Sequence, residues 1–87
     1  MAVSREEALK LVDAERNYQD WKWGEDNPHT LPEWYLILGK QVGQLGEAIN
    51  AVLYNYDDGD VTKIKKELVE IAAVCVAILE QREERRE

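Results

Sequence analysis

The sequence predicts an all-α protein built from three main helices. Three observations carry that expectation: apolar residues recur at three- and four-residue spacings through three long stretches, each stretch opens on a helix-capping residue, and turn-forming residues gather in the two gaps between them.

The first stretch opens with Ser4 and Glu7, the pair that forms a capping box, in which the serine side chain meets the Glu7 N–H and the glutamate reaches back. The helix is expected to run to about Lys22, with Ala8, Leu11, Val12, Glu15, Tyr18 and Trp21 near one face, before Gly24 and the EDNPH segment break it. Thr30 and Glu33 repeat the signature, and Pro32 sits in the first turn, where its missing N–H costs nothing. The second helix therefore starts at about Leu31. Trp34, Leu38, Val42, Leu45, Ile49, Val52 and Leu53 share its broad apolar face as far as the stop signal YDDGD, a length of roughly 39 Å at 1.5 Å per residue. Gly39, Gly43 and Gly46 lie along one flank. Each costs roughly 1 kcal/mol relative to alanine in a helix, so their spacing predicts the close approach of a neighbouring helix. Lys40, Gln44 and Glu47 fall opposite the apolar face, with Gln41 beside them, and periodicity alone reads this stripe as a solvated face.

Asp60 is the expected cap of the third helix. Val61, Ile64, Leu68 and Ile71 point inward in its first half, while 71–79 is apolar all round, as in a helix surrounded by protein. Two other helices hardly suffice to surround it, so a homo-oligomer is expected, with the third helix packing on its symmetry mate. Residues 1–80 read as one domain and 81–87 as a charged helix end or tail.

The chain has 87 residues, 33% of them charged and 45% hydrophobic, with a formal net charge of −7. That charge argues against a general nucleic-acid surface, which needs clustered Lys and Arg. The lone Cys75 cannot form an internal disulfide, which fits a reducing cytoplasm and a small buried hydrophobe. The acidic N-terminal segment does not resemble a signal peptide. The longest apolar run is far short of the roughly 20 residues that cross a membrane.

Glu67 and Glu70 lie one turn apart on the third helix, a spacing at which helical bundles hold divalent cations; i,i+4 ion pairs with Lys63 and Lys66 explain the same acids equally well. Lys63, Lys65 and Lys66 form a basic knot near a helix N-terminus, where an anion is favoured. Trp21, Trp23 and Trp34 bracket one loop and suit either a stacking wall for a nucleobase or a lid over the core. His29 has no companion for a zinc site.

Three segments, ERNYQDWKWGEDNPH, LPEWYLILGKQVGQLGEAINAVL and KELVEIAAVCVAILE, resemble in order and spacing the MazG-like nucleotide pyrophosphohydrolases of the short single-domain kind, over roughly residues 15 to 80. The resemblance implies an all-α bundle completed by oligomerisation into a homodimer or homotetramer. It also implies cleavage of nucleoside triphosphates to monophosphate and pyrophosphate, with Mg²⁺ as cofactor. The family holds its metal with Glu-Glu-x-x-Glu on one helix and Glu-x-x-Asp on the next. The second motif maps onto Glu67 and Glu70, with Glu in place of Asp. The first maps onto Lys40, Gln41 and Gln44, so three carboxylates are replaced by an ammonium and two amides, and an ammonium there repels a cation.

Two readings follow. In one, the chain is a working pyrophosphohydrolase with Glu67, Glu70 and Glu47 as metal ligands and Trp21, Trp23, Lys63 and Lys66 as substrate contacts. In the other, it is a non-catalytic oligomeric helical module that binds a nucleotide or a protein partner, with Lys40 paired to Glu67 or Glu70. A deliberate alteration of these positions in a working enzyme would leave the same sequence.

Overall fold

The computed structural model describes residues 2–24, 29–54 and 61–82, and these form three helices: α1 (Arg5–Trp23), α2 (Leu31–Leu53) and α3 (Val61–Arg82). Helices α1 and α2 start where the sequence places their caps, with one of the two expected bonds at α1 and both at α2. Ser4 Oγ accepts from the Glu7 N–H at 3.1 Å. At α2 the box is complete, since Thr30 Oγ1 accepts from the Glu33 N–H at 3.3 Å and Glu33 Oε1 accepts from the Thr30 N–H at 2.8 Å. Gly24 ends α1 at φ 85°, a conformation side chains disfavour, and its N–H donates to the Asp20 carbonyl at 2.8 Å. Tyr54 leaves the helical region at ψ 10°, so α2 spans about 35 Å rather than the expected length. The YDDGD turn, the Asp60 cap and the tail beyond Arg82 lie outside the described residues, and α3 itself continues past residue 80.

Helix α3 is the central element. Both α1 and α2 pack against it, whereas they do not pack along each other. The choice of small residues explains this: Ala73 and Ala77 on α3 are buried beside Val74, so neighbouring backbones come close on two sides. Trp34, 4% exposed, packs with Val74 and Ala77, and Trp23, Ile37, Leu38 and Ile78 close over this cluster.

Two polar fasteners tie the elements together. Arg16 on α1 donates to Asp20 Oδ1 at 2.6 Å and to Glu80 Oε1 of α3 at 2.7 Å. Gln81 Oε1, near the end of α3, accepts from Trp34 Nε1–H at 2.7 Å and from the His29 N–H at 3.3 Å.

Several sequence expectations about burial are corrected. On α2 the buried positions are Trp34 and Ala48, with Gln41 between them half-buried, whereas Val42, Ile49, Val52 and Leu53 are exposed. The apolar sector of α2 is wider than one neighbouring helix can cover, and the alanine-rich α3 takes one edge of it. Tyr18 and Trp21 are exposed, although the same end of α1 meets α2 through Trp23 and Trp34. Cys75 and Leu79 are exposed although the 71–79 run was expected to be enclosed, because only two of its sides meet another helix. Among the described residues, apart from the adjoining backbone of α2 itself, no atom comes within 4 Å of a Cβ built on Gly39, Gly43 or Gly46, so the expected close approach of a neighbouring helix is not seen there.

Candidate functional site

Because α1 and α2 flank α3 without meeting along their lengths, a cleft opens between them. Its volume is about 470 Å³, and Glu15, Tyr18, Gln19, Lys22 and Trp23 of α1, Gln41 of α2, and Lys66 and Glu70 of α3 line it. That volume lies within the range of small-molecule sites, roughly 300–1,000 Å³. Positions 15, 19 and 22 follow one another at helical spacing, so α1 contributes a polar ridge to the cleft wall.

The floor is polar and incompletely satisfied. Gln19 is 3% exposed and Glu67 7% exposed, yet Oε1 of each lacks a hydrogen-bond partner, as does Oε1 of Gln41. Buried polar atoms without partners cost free energy; Gln19 and Gln41 line the cleft, and Glu67 lies buried beside it. The Glu70 carboxyl is held above the ordinary carboxylate value, first by burial and then by the negative charges of Glu67 and Glu15, while Lys66 pulls the other way. Three carboxylates from two helices therefore share one region with the Lys66 ammonium.

The aromatic end of the cleft is tied into the core. Trp23 and Trp34 rings lie 6.2 Å apart and tilted, and His29 stands edge-on to Trp34 at 4.7 Å and to Trp23 at 6.3 Å. His29 Nδ1 is 3.7 Å from Glu33 Oε1. Of the three tryptophans, Trp34 is core, Trp23 is both core cover and cleft wall, and Trp21 is 79% exposed with its ring 5.8 Å from that of Tyr18.

The other anticipated site residues divide between cleft and surface. Glu70, Lys66, Trp23 and Gln41 line the cleft, and Glu67 lies buried beside it. Gln44 is half-buried, whereas Lys40, Glu47 and Lys63 are exposed. Among the described residues no contact within 4.0 Å links Lys63 to Glu67, Lys66 to Glu70, or Lys40 to either acid, although the Lys66 charge still acts on the Glu70 carboxyl. Sequence reasoning missed Gln19 and Lys22 and took Glu15 for a core-facing position. The available signal was the acid itself, since a carboxylate on an otherwise apolar face marks a place where that face turns polar.

The donor set does not fit a Mg²⁺ ion of the kind the resemblance implies. Among the described residues no three His, Cys, Asp or Glu are gathered to hold a metal. On the α2 side the cleft is lined by the neutral amide of Gln41, and Lys66 brings an ammonium to it. Mg²⁺ requires near-octahedral oxygen ligands, and the Lys66 ammonium beside Glu70 opposes a cation among these carboxylates. Among the described residues no helix is long and apolar enough to cross a membrane.

No family model matches the chain, and no curated protein or solved structure matches it at a significant level.

Proposed function

We propose that the chain is a MazG-like helical protein whose cleft between α1, α2 and α3 binds a nucleotide without Mg²⁺-dependent hydrolysis. The composition of the cleft carries this reading. Lys22 and Lys66 offer two ammonium groups to phosphate oxygens, Trp23 and Tyr18 offer ring faces to a base, and Gln41, which lines the cleft, is a position where the resemblance implies a carboxylate. The order and spacing of the tryptophan-rich loop, the glycine-bearing helix and the alanine-rich helix support the family, and the amide-for-carboxylate replacement supports the loss of metal chemistry.

Titration calorimetry with a panel of ribo- and deoxyribonucleoside triphosphates, in EDTA and in Mg²⁺, tests it. Binding that survives EDTA, with no pyrophosphate released at high protein concentration, is the expected result. Absence of binding under both conditions would remove the nucleotide from the proposal. A second reading, that of a working pyrophosphohydrolase, draws on the convergence of Glu15, Glu67 and Glu70 that raises the Glu70 carboxyl. Under that reading Mg²⁺ or Mn²⁺ produces pyrophosphate, and Glu67→Gln abolishes it.

A further inference from the structure

Besides the polar cleft, α1 and α3 form a groove of a different character. Its volume is about 280 Å³, with Leu11 and Val12 of α1 on one wall, Leu68, Val69 and Ala72 of α3 on the other, and Val3 ahead of α1. Among the described residues Lys65 is the one charged group on that lining. A second hollow of about 390 Å³ shares Leu11, Lys65 and Val69 with the groove and adds Lys66 and Glu15. An apolar trough thus opens beside two ammonium groups.

Lys65 stands apart from the other lysines. It alone is half-buried, the rest being exposed, and among the described residues no carboxylate lies within 4.0 Å of its ammonium. A lysine stem laid along apolar surface is ordinary. A partly withdrawn ammonium without a counter-charge, in a chain of net charge −7, is the feature that points to an anion.

We propose that the groove is a second ligand site, which takes a linear alkyl carboxylate with its chain along the α1–α3 trough and its carboxylate on Lys65. Charge and shape select this occupant together. An acidic chain repels a bare anion, so the carboxylate is held only with an apolar tail to anchor it, and the ammonium at the trough rejects an alkyl cation. The dimensions set the length of the tail. At roughly 30 Å³ for a group the size of a water, the groove accommodates about nine methylenes. From Lys65 to Ala72 the helix advances about 10 Å at 1.5 Å per residue. Both measures suit the tail of decanoate. Lys65 does not line the polar cleft, so this site does not depend on what that cleft binds.

Titration calorimetry of the full chain with sodium alkanoates, below their micelle concentrations, tests it. Decanoate is expected to bind one molecule per chain, with affinity rising roughly two- to fourfold per methylene from hexanoate to decanoate and levelling off beyond it. Acetate and decyltrimethylammonium are not held. Lys65→Met keeps the stem and removes the charge, so the preference for decanoate over decanol should fall about tenfold. Leu11→Trp fills the trough and should abolish decanoate binding with the far-UV helical signal retained, since Leu11 is 37% exposed. Should that variant lose its helices, amide chemical shifts of the wild-type chain provide the second measurement, in which decanoate perturbs residues around Leu11, Lys65 and Val69 and leaves those around Val42 unmoved. No binding of decanoate, affinity independent of chain length, or equal binding of decanoate and decyltrimethylammonium each overturns the proposal. So does decanoate affinity that falls as protein concentration rises, which would mean that a second copy occupies the groove.

Discussion

Glu70 titrates against its surroundings. Its folded-state value lies above the unfolded one, because burial and the Glu67 and Glu15 charges disfavour the ionised form. The folded chain therefore binds this proton more tightly. The resulting stability is present below the ordinary carboxylate value and is lost as pH rises through the raised one. Glu70→Gln is accordingly expected to stabilise the protein at neutral pH, with the gain vanishing in acid, as read by urea denaturation across pH. The same proton matters to the cleft. Uptake by Glu70 removes a negative charge beside Lys66, so affinity for a nucleoside triphosphate should rise as pH falls through the Glu70 transition, and this dependence should flatten in Glu70→Gln. Gln81 works at the same scale. Its Oε1 serves both the Trp34 indole and the His29 backbone, and Gln81→Leu leaves a buried indole N–H unpaired at a cost of about 2 kcal/mol in chemical denaturation.

Helix boundaries were the part of the fold most legible in the sequence, because capping is local chemistry. Ser4 with Glu7, and Thr30 with Pro32 and Glu33, set the starts of α1 and α2, and Gly24 set the end of α1. Thr30→Ala should cost about 1 kcal/mol of stability by removing the acceptor for the Glu33 N–H. Helix rotation was less legible. A hydrophobic wheel shows which sector of α2 is apolar and not which part of it a particular neighbour covers, so Val42 and Ile49 read as core and proved exposed. Long-range fasteners were invisible for a related reason. Nothing local links Arg16 to Glu80, 64 positions away, although their hydrogen bond is one of the ties between α1 and α3. Arg16→Ala should weaken that tie by about 1 kcal/mol, less at high salt because Glu80 is exposed.

At the scale of the whole molecule the core is thin. Among the described residues five apolar side chains are buried, and sixteen large apolar ones are exposed. Val74, fully buried where α2 meets α3, therefore carries a large share of the stability, and Val74→Ala should cost about 2 kcal/mol by removing packed methyl groups and leaving a void. Part of the candidate site was legible in advance, because Glu67, Glu70, Lys66 and Trp23 carry chemistry their spacing displays. The α1 wall was not, since Gln19 and Lys22 acquire meaning only when α1 and α2 are placed on opposite sides of α3.

The arrangement of α1 and α2, joined through α3 and through the Trp23–Trp34 contact at one end, has an energetic corollary. Substitutions on α1 and α2 away from that contact should behave as independent perturbations, their stability effects adding without a cross-term. A molecule lodged between Lys22 and Gln41 touches both helices at once, and only in its presence should those effects cease to add. A double-mutant cycle between the two helices, measured with and without a candidate compound, thus reports occupancy of the cleft with no label and no turnover.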